Sequence, residues 1–263
     1  MTLHDISEVL RHELPSRGCL GLPVHHYETI DSTMNEASRL AESGAASGTM
    51  ILAEMQTDGR GRLGREWHSD NAAGIYFTLI LRPEMEPAAA PILTLMAGVS
   101  LATVVDAITP GMVDLRWPND LLVNGRKCAG ILVEMRAEPH CIDYVLLGIG
   151  INVNQTDFPD GLETAPSSLQ LEAGRPVPRA DLLISLLKQL DADYNHFLQH
   201  GPESTLRRFE AISSYAKGKR VRVGDHAPFL CGVTAGLTPE GILLVEREDG
   251  KIEKVVAGHV RPQ

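Results

Sequence analysis

Gln56-Thr57-Asp58-Gly59-Arg60-Gly61-Arg62-Leu63-Gly64-Arg65-Glu66-Trp67 follows one apolar run, Thr49 to Met55, and leads through His68-Ser69-Asp70-Asn71 into a second, Gly74 to Leu81. How this stretch is read decides the fold. Gly59, Gly61 and Gly64 match Gly-x-Gly-x-x-Gly in form. That fingerprint binds dinucleotides only where it opens a helix inside a βαβ unit. Here a strand follows instead, so the glycines join two strands and the dinucleotide reading is rejected. A P-loop is excluded too, because no Gly-Lys-Ser/Thr follows. What remains is a loop between strands that concentrates cations. Glycine lets a backbone come close to a ligand, and arginine supplies planar, bidentate cations for carboxylates and phosphates. The loop is predicted to wrap an anionic small molecule.

The surrounding chain makes that concentration selective. It has 263 residues and a formal net charge of -10, with 43% hydrophobic and 22% charged residues. The length allows one large domain, or one domain and a small one. The negative charge excludes a nucleic-acid surface as the main business of the protein. Cys19, Cys128, Cys141 and Cys231 form no Cys-x-x-Cys pair and have no histidine cluster beside them. They are predicted to be small buried thiols of a reducing compartment. The N-terminus resembles no signal peptide, and no apolar run approaches the ~20 residues of a membrane span. A cytoplasmic location is expected.

Working outward from the loop, an amphipathic helix is expected over 2–14 and a strand over His25 to Ile30. A helix then starts at Asp31-Ser32-Thr33 and runs to about Glu42, with Thr33 and Glu36 as a capping box. Strands are expected over Thr49 to Gln56, Gly74 to Leu81 and Val113 to Trp117, the last stopped by Pro118. A helix buried on most sides spans 91–108. Ile142 to Val153 is a further strand, and helices are expected over 179–200 and 203–216. Residues 154–178 form a long loop, which in a compact domain points to function. From Gly218 short strands at 219–223, 228–235, 242–247 and 252–256 suggest a small β-barrel. The fold class is α+β, with helices on one side of a mostly β core, divided as 1–216 and 217–263.

Asn124-Gly125 between apolar runs is a strong hairpin signal. A two-residue turn there pairs Val123 with Arg126, Leu122 with Lys127 and Asp120 with Ala129. Asp120 and Lys127 then share a face, roughly 7–8 Å apart. Such a pair can flank a phosphate, the carboxylate through magnesium and the lysine directly, or can be a plain surface ion pair. Gly148-Ile149-Gly150-Ile151-Asn152 ends a strand with two glycines that admit a close approach. The histidines are read as surface or satisfied core residues.

Four segments in order resemble the biotin protein ligases. They are Asp31-Ser32-Thr33; the loop from Gln56 through Trp67; Arg116-Trp117-Pro118-Asn119-Asp120 with Lys127 and Gly130 downstream; and Gly148 to Asn152. The resemblance covers about residue 25 to the C-terminus. It implies a catalytic domain similar to class II aminoacyl-tRNA synthetases, followed by a Src-homology-3-like barrel. It implies ATP-dependent attachment of biotin, through biotinyl-5′-AMP, to a lysine of a biotin carboxyl carrier protein or domain of acetyl-CoA carboxylase. Ser32, Thr33, Gln56, Gly59, Arg60, Gly61, Arg62, Lys127 and Gly130 would contact biotin. Arg62, Arg65, Trp67, Asn119, Asp120, Lys127 and Asn152 would contact ATP. Asp120 would hold Mg2+, and Lys127 and Arg62 would act in catalysis.

The chain departs from the family pattern at Arg116, where lysine is usual, and at Met34, where asparagine is common. It ends Arg261-Pro262-Gln263, where an arginine often reaches the nucleotide. Pro166-Ser167-Ser168-Leu169, the expected adenine cover, lacks the tryptophan of some relatives. About 30 residues precede Asp31, fewer than a DNA-binding winged helix needs, so neither DNA nor a membrane is an expected partner. A homodimer is left open. A lipoate or octanoate ligase is the enzyme alternative, and a sensor that binds biotin or its adenylate without transferring it is the non-enzyme one.

Overall fold

Strict alternation builds the central sheet and assigns its two faces. The structure, a computed structural model, describes residues 6–13, 20–69, 72–162, 164–224 and 228–263. Seven strands form one sheet: β1 (Val24–Ile30), β2 (Met50–Gln56), β3 (Ile75–Leu81), β4 (Val113–Arg116), β5 (Asp120–Val123), β6 (Arg126–Glu138) and β7 (Cys141–Ile151). Their spatial order is β1-β2-β3-β7-β6-β5-β4, with β1 and β2 parallel and every other pair antiparallel. Ile75, Phe77, Leu79 and Leu81 of β3 point into the main core, as do Val145, Leu147, Ile149 and Ile151 of β7. This face packs against α3 (Ile92–Asp106), with α5 (Arg179–His200) and α6 (Glu203–Ile212) behind it.

The other face is also covered, contrary to the expectation of helices on one side. Ile51, Ile80, Tyr144 and Leu146 pack with Met34, Ala37 and Ala41 of α2 (Thr33–Glu42). The reason is visible in β3, whose seven residues are all buried. Such a strand needs apolar cover on both sides.

α3 is apolar around its circumference, with Ile92 to Ala102 buried. The helical stretch Pro87–Asp106, 20 residues, is long and apolar enough to cross a membrane by length and composition. That corrects the statement that no apolar run reaches this length. In the fold the stretch is the core helix, packed between the sheet and α5 and α6.

The helix at 2–14 is seen as α1 (Ile6–Glu13), its flanks lying outside the described residues. The α2 cap is Ser32, not Thr33: Ser32 Oγ accepts from Met34 N at 3.3 Å. Glu36 does not return a capping bond, because its carboxylate takes hydrogen bonds from Tyr27 Oη and Arg39. Of the cysteines, Cys128 is buried, Cys231 is half-buried, Cys141 is exposed and Cys19 lies outside the described residues. The expectation of small buried thiols therefore fails at Cys141.

The 154–178 segment is less irregular than expected, because it holds a short helix, α4 (Leu169–Ala173), capped by Ser168. The C-terminal unit is a five-stranded antiparallel sheet. Its strands are β8 (Lys217–Val223), β9 (Leu230–Leu237), β10 (Leu243–Glu246), β11 (Ile252–Val255) and β12 (Val260–Pro262), in the order β11-β10-β9-β8-β12. The fifth strand, three residues long, gave too little alternation to be expected. Trp117 joins the two sheets: its indole is buried and donates to the Gly241 carbonyl at 3.0 Å.

Candidate active site

The α2 face of the sheet changes character along β7. Tyr144 and Leu146 are large and lie under α2, whereas Gly148 and Gly150 carry no side chain. Register places Gly150 beside Tyr76 of β3 and Gly130 of β6. Beyond the N-terminus of α2 the floor therefore drops. A methyl group on Gly150 would lie 2.5 Å from Cε2 of Trp67, and one on Gly130 would lie 2.8 Å from its Cζ3. One on Gly148 would meet Met34 Sδ at 2.7 Å. The glycines do admit a close approach, and what approaches is the Trp67 indole and the Met34 thioether.

Trp67 is delivered by the glycine–arginine loop, which folds as a small hairpin. Trp67 N donates to Gly59 O and Gly61 N to Arg65 O, each at 2.7 Å, with Arg60 bridged to Glu66 between them. Gly59 cannot be replaced there, since its added methyl would sit 2.3 Å from the Trp67 carbonyl oxygen. The tip turns through Leu63 at φ 59° and Gly64 at φ 73°. Each arginine is held by a different part of the fold. Arg60 donates to Asn35 Oδ1 at 3.2 Å and to Glu134 at 2.6 Å. Arg62 donates to Asn119 Oδ1 at 3.2 Å. Arg65 lies against the ring nitrogens of His259, 2.9 Å from Nδ1 and 2.5 Å from Nε2.

The 120/127 hairpin is tighter than the sequence register predicts. Val123 pairs with Arg126 and Leu122 with Lys127, but a bulge then moves Asp120 opposite Gly130 rather than Ala129. A bulge bends the strand and redirects side chains. Lys127 Nζ comes to 2.6 Å from Asp120 Oδ1, and Arg116 Nη2 to 2.5 Å from Asp120 Oδ2. Asp120 is 5% exposed and Arg116 7%, so this is no surface ion pair. Burial alone would raise the Asp120 carboxyl; Lys127 and then Arg116 outweigh it and hold the group below its usual range. Arg116 also donates to Thr164 Oγ1 at 2.8 Å. Its role, open in the sequence, is counter-ion and orienter of Asp120.

Asp120 Oδ1 lies against Lys127 Nζ and Oδ2 against Arg116 Nη2, and among the described residues no group of three His, Cys, Asp or Glu could hold a metal ion. Asp120, the carboxylate expected beside Mg2+, borders the smaller cavity.

Two cavities meet at Lys127. The smaller, about 100 Å³, is bounded by Thr33, Met34, Gln56, Arg60, Gly61 and Arg62 at one end and Asn119, Asp120 and Gly130 at the other. The larger, about 430 Å³, is bounded by Asn152, Gln155, Phe158, Leu162 and Pro166. Arg65, Glu66, Trp67, Lys127 and His259 line both. Lys127 stands at the junction, with its Nζ 5.4 Å from the centre of the Trp67 ring. Its backbone is fixed by the 154–178 segment: Lys127 N donates to Ala165 O and Ser167 N to Lys127 O, each at 2.9 Å.

Most expected site residues gather here. Gln56 Oε1 accepts from both Thr33 N and Thr33 Oγ1, at 2.8 and 3.0 Å, and its Nε2 donates to Ser69 Oγ. Ser32 is fully buried as the helix cap and does not border either cavity. Gly59 likewise serves the loop rather than the cavity wall. Asn152 borders the larger cavity, with its Nδ2 tied to Ser167 O at 3.1 Å. In the expected adenine cover only Pro166 reaches the cavity; Ser167, Ser168 and Leu169 are buried.

Sequence reasoning missed His259 and Tyr76. His259 had no visible partner because Arg65 is 194 residues away in the chain. Arg261, weighed in the sequence as the C-terminal contact, borders neither cavity; His259 borders both.

Comparison with known proteins agrees with this geometry. The model of the Biotin/lipoate A/B protein ligase family matches residues 27–152. The chain is 37% identical to a bifunctional ligase/repressor BirA of Bacillus spizizenii, across 92% of this chain and 74% of that protein. It is 35% identical to a biotin--[acetyl-CoA-carboxylase] ligase of Mycobacterium tuberculosis, across 89% of this chain and 86% of that one. Among solved structures, biotin protein ligase from Aquifex aeolicus in complex with biotin and ATP superposes with a TM-score of 0.77. That match has 28% identity and covers 91% of this chain and 99% of that one.

Proposed function

The chain belongs to the biotin protein ligase family, and from that premise we propose that it joins biotin to a lysine of a carrier protein in two steps through biotinyl-5′-AMP. The observation that carries this reading is the position of Lys127, which lines both cavities. The smaller one, with the Thr33–Gln56 hydrogen bonds at its wall, takes biotin. The larger one takes ATP. The biotin carboxylate and the α-phosphate then meet beside Lys127.

The first step joins two anions. A carboxylate oxygen attacks the α-phosphorus, the bond from that phosphorus to the bridging oxygen breaks, and pyrophosphate leaves. Lys127 lies where charge builds up on the α-phosphate, and Arg62 and Arg65 enter from the loop. Fixed cations aimed at developing charge lower such a barrier without reorganising. Asp120 and Arg116 keep Lys127 oriented before substrate arrives. In the second step the neutral amine of the carrier lysine attacks the acyl carbon, and AMP leaves with the carboxylate oxygen. Trp67 and the loop cover the mixed anhydride against water. Magnesium would enter as Mg·ATP, with Asp120 the carboxylate that meets it, and would offset charge on the phosphates.

Residues 1–216 form the catalytic domain on this reading, similar to class II aminoacyl-tRNA synthetases, and 217–263 a Src-homology-3-like barrel. The carrier is a biotin carboxyl carrier domain of acetyl-CoA carboxylase, the substrate that the names of related ligases give. A reducing, cytoplasmic setting accords with Cys128, Cys141 and Cys231 standing unpaired.

The test is biotin-dependent release of pyrophosphate from Mg·ATP, followed by addition of a carrier domain and measurement of its mass. Both signals are expected. Release driven by lipoate and not by biotin would overturn the substrate assignment.

A further inference from the structure

Gln155 follows Asn152 into the wall of the larger cavity, and its side chain is 4% exposed. Its Nε2 donates to the Tyr76 hydroxyl oxygen at 2.9 Å. Its own carbonyl accepts from Ser168 Oγ at 2.6 Å, which fixes the backbone beneath it. With the amide nitrogen committed, Oε1 is left buried and without a hydrogen-bond partner. Buried acceptors are rarely left unmet, because each loses its water without replacement. An orphan of this kind on a cavity wall marks the place of a ligand donor.

We propose that Gln155 reads the base of the nucleotide: Oε1 accepts a hydrogen bond from the exocyclic amine of adenine and so selects ATP over GTP. The inference rests on the larger cavity being the nucleotide site. Phosphates offer Oε1 only more acceptors. At position 6 guanine places a carbonyl oxygen, an acceptor, where adenine carries its amine. Phe158, Leu162 and Pro166 border the same cavity and present apolar surface to a flat ring. Gln155 Nε2 lies on Tyr76 Oη, which leaves Oε1 as the amide atom offered to the ligand. Sites that must satisfy a buried polar group reject analogues lacking its partner more strongly than apolar pockets reject a misfit.

The experiment measures biotin-dependent pyrophosphate release by the whole chain with ATP, GTP and purine riboside triphosphate, which lacks the amine. The wild type is expected to favour ATP over both others by about tenfold or more in kcat/KM. Gln155→Leu should lose at least about tenfold with ATP and little with purine riboside triphosphate. A merely structural role would lower all three rates together. An unchanged ratio of ATP to purine riboside triphosphate in Gln155→Leu overturns the proposal. Should that variant not fold, a wild type that uses the two nucleotides equally overturns it as well. The same holds if 2′- or 3′-deoxy-ATP, rather than the base analogue, shows the loss that depends on Gln155. If no nucleotide supports release in the wild type, the ligase reading fails instead. Equilibrium binding of ATP against purine riboside triphosphate then still decides the role of Gln155.

Discussion

Lys127 Nζ lies 2.6 Å from Asp120 Oδ1, while Arg116 takes the other oxygen of the same carboxylate. One buried anion thus serves two cations of unequal exposure. Lys127 is 24% exposed at its side chain and faces the cavities; Arg116 is 8% exposed and faces none. The division predicts unlike outcomes for Lys127 and Asp120.

Lys127→Ala removes the cation at the junction of the two cavities and leaves Asp120 paired with Arg116. Adenylation should fall by about 10²–10³, the scale of losing one preorganised charge contact, with little change in melting temperature. Asp120→Ala leaves two cations without their anion, one of them buried, and should cost about 3–5 kcal/mol of stability. Thermal unfolding and pyrophosphate release, measured on both variants, separate the two roles. A Lys127→Ala variant with near-normal release would refute the assignment.

The same triad sets a pH dependence. Because the folded Asp120 carboxyl is held below its ordinary value of 3.8, its stabilising effect is fully present above pH 3.8 and is lost as pH falls through the lower folded value. The melting-temperature gap between wild type and Asp120→Asn should stay flat from neutrality down to about pH 4. It should close only below that. A gap that closes between pH 6 and 5 would show that the carboxyl is not held down.

The glycine floor gives a graded prediction. At Gly148 an added methyl meets the end of Met34, a flexible chain that can move aside. At Gly150 it meets the middle of a rigid indole. Gly150→Ala should therefore displace Trp67 and lower kcat/KM for ATP by at least about tenfold. Gly148→Ala should cost a few-fold at most. Trp67 fluorescence should shift in Gly150→Ala alone. Equal shifts in both variants would mean that Trp67 does not rest on Gly150.

Much of this was legible in the sequence, and the gaps have physical reasons. Asn124-Gly125 located the hairpin, and the local register placed Asp120 and Lys127 on one face. The bulge at Cys128 was not legible, because one extra residue changes no composition. The cap at Ser32 was misread because Ser32 and Thr33 are both good caps; what separates them is Gln56, which engages Thr33 from another strand. His259, Tyr76 and Arg116 acquire their roles only through partners far away or across strands. Binary patterning contains no term for such contacts. The glycines at 148 and 150 were legible as a close approach, but what approaches them was not.

The loop offers the last test. Thr57 N and Asp58 N tie its base to Ile30 O and Asp31 O, the rest of its backbone closes on itself through Gly59–Trp67 and Gly61–Arg65, and the ion pair of Arg60 with Glu134 is one of its clasps onto the sheet. Both partners of that pair are more than a third exposed, so it contributes only about 0.2–1 kcal/mol. A clasp of that strength holds the loop closed part of the time. Glu134→Ala should speed tryptic cleavage between Arg60 and Arg65 by a few-fold in the absence of ligand. Biotin with ATP should suppress cleavage in wild type and variant alike, because the adenylate recruits Arg62 and Arg65 from within the loop. An unchanged cleavage rate with ligand would rule the wrapping role out, since a loop indifferent to its anion cannot be the one that wraps it.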